Sequence, residues 1–304
     1  MRKILYILSL LMIGHAFLWA QYVPVFSQYV NNMFLLNPAY AGSRDVLSAS
    51  ILYRDQWVGI DGAPASGALS VNSPLRNERI GVGLILLNEK IGPTMQTQCY
   101  GNYSYRVING ENKLLLGIRA GIQYYSSNLK DIQTNIPDPV FSGVINYILP
   151  DFGLGLYFFN KNYFISASIP YLLTVTGSNS GNGYKAINDA TDYNYLISGG
   201  VSFKTEYITF KPSLLLQYKP QTPAQIDLTL LGYMFNEKIG FGFTYRSQDA
   251  IVLMAEVQVN PMICIGYSYD YPVGNLSVYS SGSHELYLRY ELNYKVKGFN
   301  PRFF

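Results

Sequence analysis

Between Lys113 and Tyr125 the chain reads KLLLGIRAGIQYY, and its residues divide by parity. Leu114, Leu116, Ile118, Ala120, Ile122 and Tyr124 fall on one face, with Lys113, Arg119 and Gln123 on the other. A two-residue period belongs to a strand whose successive side chains point to opposite sides. AIVLMAEVQV repeats the pattern, with Ile251, Leu253, Ala255, Val257 and Val259 set against Glu256 and Gln258. In HELYLRYELNY, Leu286, Leu288, Tyr290, Leu292 and Tyr294 alternate with Glu285, Tyr287, Arg289, Glu291 and Asn293. Runs of this kind, divided by turn residues, predict strands at 45–53, 66–73, 79–88, 95–107, 113–125, 152–159 and 163–171. Seven more follow at 193–203, 208–218, 226–233, 238–246, 250–259, 262–271 and 284–294.

About fourteen antiparallel strands is an even count within the range of bacterial single-chain outer-membrane barrels. The connections support a barrel. Those after even-numbered strands are short (SPLRNE, INGEN, NKN, KTEY, FNE and NP), whereas both long ones, 126–151 and 172–192, follow odd-numbered strands. Barrels of this class have short periplasmic turns and longer external loops. The charged face of each strand is then the lumen. It carries Lys113, Arg119, Lys211, Glu256, Glu285, Arg289 and Glu291, of both signs, which predicts cross-strand pairing rather than a selective ion path. Tyrosines at strand ends, among them Tyr53, Tyr105, Tyr125, Tyr163, Tyr171, Tyr218, Tyr233, Tyr245 and Tyr271, fit interfacial girdles.

One segment breaks the two-residue period. In FSQYVNNMFLLNPAYAGSR, Phe26, Tyr29, Val30, Met33 and Phe34 recur at helical spacing, and Pro38 ends the stripe. A short amphipathic helix over 27–36 is expected, too short at about 15 Å to span a bilayer. It would sit at the periplasmic mouth as a plug or a docking element, or lie against the rim without a mechanistic role. NPAYAG would then run extended into the first strand.

Composition reinforces the barrel. Only 13% of residues are charged and 15% are aromatic, with 28 tyrosines among 304 residues, against about a quarter charged in soluble domains. Arg2-Lys3, the apolar run ILYILSLLMIGHAFLWA and Gln21 have the layout of a secretory signal peptide cut after Ala20. Gln21 in place of a cysteine argues against a lipid anchor. The expected organisation is thus signal peptide 1–20, helix and entry segment 21–44, transmembrane barrel 45–294 and tail 295–304. The net charge of +3 is scattered, which leaves no footprint for nucleic acid.

No catalytic, cofactor or metal constellation is read from the sequence. Beyond the leader the one histidine is His284, expected to be an interfacial or loop contact, and Cys99 and Cys264 are expected to be free thiols on the wall, a disulfide between them remaining open. The pairs Gly81/Gly83, Gly153/Gly155 and Gly240/Gly242 alternate within strands, without a following helix or Lys-Ser/Thr, so they predict close packing rather than phosphate loops. The first external connection, YRDQWVGIDGAP, is expected to hold Arg54, Asp55, Trp57 and Asp61. It is read either as a self-satisfied Arg/Asp loop or as a loop packed inward that narrows the lumen or contacts an exported partner. Phe26, Tyr29, Val30, Met33 and Phe34 complete the candidate partner-binding set.

PVFSQYVNNMFLLNPAYAGSR, LYRDQWVGIDGAPASGALSVNSPL, GVGLILLNEKIGPT, SGSHELYLRYEL and the terminal NPRFF together resemble the PorP/SprF family of outer-membrane proteins associated with type IX secretion. The family's tail carries a cysteine where this chain has Asn300. The resemblance implies an outer-membrane protein, not an enzyme and without cofactors, surrounded by lipid. It also implies protein partners: a large secreted surface protein such as an adhesin, held or exported through its C-terminal domain, or periplasmic ring subunits of the secretion and gliding motility machinery. A fatty-acid-transporter-like or porin-like barrel moving small solutes is the alternative.

Overall fold

The computed structural model describes residues 26–75, 78–131, 143–177, 184–220, 222–247 and 249–292. The expected signal peptide and the 295–304 tail lie outside them. The first strands are β1 (Leu47–Asp55), β2 (Ala65–Pro74), β3 (Ile80–Ile91), β4 (Thr94–Asn109), β5 (Lys113–Asn128), β6 (Val144–Phe159) and β7 (Tyr163–Ile169). After a small separate hairpin, β8 (Thr174–Gly177) and β9 (Tyr184–Ile187), come β10 (Tyr195–Val201) and its continuation β11 (Phe203–Lys204). The remaining strands are β12 (Ile208–Tyr218), β13 (Gln225–Met234), β14 (Ile239–Arg246), β15 (Ala250–Gln258), β16 (Ile263–Pro272) and β17 (Ser283–Leu292). With β10 and β11 counted as one, fourteen antiparallel strands close into a barrel. Closure comes from β1 pairing with β17, Leu47 opposite Leu292 and Asp55 opposite His284, and from β10 pairing with both β7 and β12.

The parity of the sequence sets the two surfaces. On β5, Ile118 is 55% exposed and the next residue, Arg119, 1%. On β17, Leu286, Leu288, Tyr290 and Leu292 face outward, and Glu285, Tyr287, Arg289 and Glu291 are buried inside. Only apolar and aromatic groups can meet lipid without a large desolvation cost, so one residue of slip would place three charged groups, Glu285, Arg289 and Glu291, in hydrocarbon. Leu288→Arg should therefore lower barrel stability by about 2–4 kcal/mol, measured by denaturant unfolding in lipid vesicles. A variant as stable as the parent would undo this register.

Two prolines sit inside strands, and each is explained by what its missing N–H faces. Pro212 in β12 lies beside the break between β10 and β11 at Ser202, where the ladder already lacks a partner. Pro150 in β6 lies above the point where β7 ends, since β7 pairs only with the stretch from Leu154 to Phe159. Pro150 also explains a difference from the expected boundaries. VINYILPD reads as loop because proline is a strand breaker, yet proline is tolerated where its nitrogen points to an open edge. The 126–151 connection therefore shrinks to the residues between Asn128 and Val144, and 172–192 gains the β8–β9 hairpin.

The girdle is outward at Tyr53, Tyr105, Tyr218, Tyr245 and Tyr271. Tyr125, Tyr171 and Tyr233 instead turn inward. Tyr125 stacks on Tyr147 at 4.7 Å, Tyr171 packs against Tyr100, and Tyr233 is buried under Lys211. Cys99 faces out and Cys264 is buried within, and both thiols are free. His284 Nδ1 lies 2.6 Å from the Tyr267 hydroxyl on the outer face.

Candidate functional site

The lumen is filled by the segment that precedes β1. Instead of an α-helix, Phe26 to Asp45 forms three short 3-10 turns, Tyr29–Asn31, Met33–Leu35 and Pro38–Tyr40. Phe26, Tyr29, Val30, Met33 and Phe34 are buried, and so are Ser27, Gln28, Asn31 and Asn32 on what would be the polar side of a helix. A segment walled on all sides needs no polar face. Nor is it an exposed docking element in this arrangement, because none of its five stripe residues reaches the periplasmic surface.

The wall competes for the backbone groups that an α-helix would use. The Asn31 carbonyl accepts from the Tyr287 hydroxyl (3.0 Å) and from Arg44. Arg119 donates to the carbonyls of Phe34 (3.1 Å) and Leu35 (3.0 Å), and the Ser168 hydroxyl to that of Leu36 (2.9 Å). Asn32 leaves helical geometry altogether at φ −140°, and its amide donates to the hydroxyls of Ser50 and Ser70. Buried polar groups must find partners, and here the barrel supplies them. NPAYAG is also not extended: the Asn37 side chain caps the Pro38–Tyr40 turn by accepting from the Ala39 N–H, with proline at the first helical position.

Small residues in the wall make room for this segment. A Cβ at Gly81 or Gly117 would overlap the backbone of Ala41 or Ala39, and one at Gly83 the Phe34 ring. At Gly155 and Gly266 it would overlap the side-chain amides of Asn37 and Gln28. Part of the glycine alternation seen in the sequence is thus a seat for the plug. Gly153 instead admits Pro170, and Gly240 and Gly242 admit neighbouring side chains of the wall.

Two charge clusters hold the ends. Toward the external end of β1, β16 and β17, Glu285 accepts from the backbone N–H groups of Ser27 (2.7 Å) and Gln28 (2.8 Å). Arg54 pairs with Asp270 (2.8 Å) and Glu285 (3.2 Å) and donates to the Ser27 hydroxyl (2.8 Å). Arg246 joins the group through Asp227 (3.1 Å) and Asp270 (3.4 Å). Toward the periplasmic end Arg44 pairs with Glu291 (2.7 Å), and Asp45 accepts from Arg106 (2.7 Å) and Lys113 (2.8 Å). The plug therefore runs the height of the barrel, with Ser27 in the outer half and Asp45 at the periplasmic entrance to β1. The expected location at the periplasmic mouth is corrected by this path.

Burial would raise the Asp45 carboxyl, but its hydrogen bonds and charge attraction to Lys113 and Arg106 outweigh that and hold it below the usual carboxylate range. A depressed folded value means stability present above the unfolded value of about 3.9 and lost as pH falls through the folded one. Asp45→Asn should flatten the acid limb of barrel unfolding below about pH 4; an unchanged limb would remove this clamp from the account.

Arg119, Lys211, Glu285, Arg289 and Glu291 are buried, and Lys113 and Glu256 half-buried; Asp151, Asp227, Arg246 and Asp270 are buried as well and Asp45 half-buried, although the sequence pattern did not single these five out. Asp227, Arg246 and Asp270 lie on inward parity of predicted strands, so alternation is the signal that identifies them. Of the loop residues, Arg54 is corrected: β1 runs to Asp55, and Arg54 is its last buried inward side chain. Asp55 and Asp61 are exposed, and Trp57 is half-buried at φ +53°, its N–H donating to the Ser283 hydroxyl (3.1 Å). This loop bonds to its neighbours, Val58 N–H to Gly282 O (2.8 Å) and Gly92 N–H to Gly62 O (2.9 Å), so the external mouth is tied across three connections.

Solved structures similar to the chain include outer membrane protein Omp33 of Acinetobacter baumannii (5% identity, TM-score 0.47, covering 81% of this chain and 98% of that one). The toluene transporter TbuX of Ralstonia pickettii matches at 9% identity and TM-score 0.49, covering 85% and 92%, and TodX of P. putida at 9% and 0.49, covering 87% and 95%. No curated protein matches by sequence. A family model described as type IX secretion system membrane protein PorP/SprF matches residues 18–290, and the chain belongs to that family.

Proposed function

We propose that this outer-membrane component of type IX secretion is a plugged scaffold, not an enzyme and not a solute channel. In this reading it holds a large secreted surface protein, such as an adhesin, by that protein's C-terminal domain at the external loops. The observation that carries the reading is the filled lumen: from Ser27 to Asp45 the plug is bonded to the wall along its length. A continuous path for solute would have to displace those bonds, and a barrel that cannot conduct is left with its two rims as working surfaces. A second reading, docking of periplasmic ring subunits, is favoured by Tyr207 and Phe235, 78% and 67% exposed on neighbouring periplasmic turns. These are large aromatic groups outside the wall, of the kind enriched at protein interfaces.

Mild detergent extraction of a tagged copy from its native membrane, followed by mass spectrometry, tests both readings. Recovery of a surface protein's C-terminal region supports the first, and recovery of ring subunits the second. A barrel that reproducibly carries no protein after cross-linking would sink both and return the solute transporter.

A further inference from the structure

Above Leu154 the barrel wall has an open edge. β6 has sixteen residues, but β7 covers only the last six, and among the described residues no strand pairs with β6 on that side beyond Leu154. β9 comes near β6 without forming a ladder with it. The backbone groups on this side belong to even-numbered residues. The Phe152 carbonyl accepts from Leu172 N–H (2.8 Å) and its N–H donates to the Asp151 carboxylate (2.8 Å), while Gly143, of opposite parity, accepts from Leu129 at the end of β5. Phe152 is thereby capped. Among the described residues, the N–H and C=O groups of Val144, Asn146 and Ile148 and the C=O of Pro150 continue the row uncapped.

The height of this row places it outside the bilayer. Some 9–11 tilted residues cross the hydrocarbon, so roughly the outer six of β6 rise beyond it. A row of donors and acceptors repeating every two residues, about 6.6 Å, complements one ligand geometry, an extended polypeptide. The flanking side chains restrict it further. From Gly143 to Pro150 there is no charged residue. Val144 and Ile148 are exposed on the outer side, and Ile145 and Tyr147 half-exposed on the other.

We propose that residues 144–150 are an acceptor edge onto which an uncharged, extended segment of the retained surface protein adds as a further strand, moving the β8–β9 hairpin aside. Pro150 and the Asp151 cap end the added strand near the membrane surface, so it is taken up only by chain already outside the cell. The proposal rests on the scaffold reading and adds the place and the conformation of the contact.

The test is made in the native outer membrane. A photoreactive phenylalanine at Val144 or Ile148 should give adducts that map to one contiguous segment of one surface protein. Ile148→Pro deletes a donor on the open side and leaves the β5 ladder intact, so it should lower adduct yield from position 144 by about tenfold, as for one lost buried hydrogen bond. Asn146→Pro should do the same from position 148. Heat-modifiable mobility of each variant reports that the barrel has assembled. Adducts scattered over many proteins or confined to lipid, or an assembled Ile148→Pro barrel with undiminished yield, would overturn the acceptor edge. If the tagged parent protein retains no surface protein at all, the scaffold reading fails first and the edge with it.

Discussion

Deleting residues 27–36 is expected to turn a silent barrel into a conducting one. In planar bilayers the full-length protein should show no steady conductance, because the plug packs against glycines on β3, β5, β6 and β16 and donates or accepts along both walls. The deletion removes the packing of Phe34 on Gly83 and of Gln28 on Gly266 together with the bonds to Glu285 and Arg119, but it leaves Asn37 to Ala41 on their glycines and every strand pair of the ladder, so a heat-modifiable barrel should still assemble. Its inner face, rich in serine, asparagine and paired charges, would then take up water. Stepwise currents are the expected record. An assembled deletion variant that stays silent would mean that the external loops, not the plug, close the lumen.

Glu285→Ala is expected to be the most damaging single change in the lumen. Glu285 is fully buried, and its two oxygens serve the N–H groups of Ser27 and Gln28 and the Arg54 guanidinium. Alanine leaves two buried N–H donors without an acceptor and shifts an arginine toward Asp270 alone. Breaking a buried pair from one side costs about 3–5 kcal/mol, chiefly for the charge left behind. Denaturant unfolding in lipid should show a loss of that order, accompanied by intermittent conductance as the outer end of the plug detaches. Glu285→Gln keeps the shape and one acceptor, so its loss should be smaller. Equal stability of Glu285→Ala and the parent protein would deny this cluster its role as anchor.

Much of the fold is legible in alternation alone. The outward faces of β5, β15 and β17 follow residue by residue from the two-residue period, because lipid on one side and a polar lumen on the other leave each position a binary choice. The same rule puts Lys113, Arg119, Lys211, Glu256, Glu285, Arg289 and Glu291 inside, and applied without exception it adds Asp227, Arg246 and Asp270. It misleads at Pro150, where a residue that breaks ladders sits on an edge with no ladder to break. It also misleads at residues 27–36, where helical spacing of apolar residues implies one buried side. There the periodicity is real and the inference from it incomplete, since spacing reports which residues avoid water and not whether their polar neighbours avoid it too.

What the sequence determined by itself was therefore the barrel, its strand number and the sign of each face, all properties of a residue and the solvent on either side of it. The tertiary structure alone decided that the N-terminal segment threads the lumen, that Arg54 turns inward to Asp270 and Glu285, and that β6 outlasts β7. The first two depend on pairing between residues more than 200 positions apart, as in Ser27 with Glu285 and Arg54 with Asp270. No local pattern encodes such a pairing, because each partner would satisfy its own strand equally well facing water.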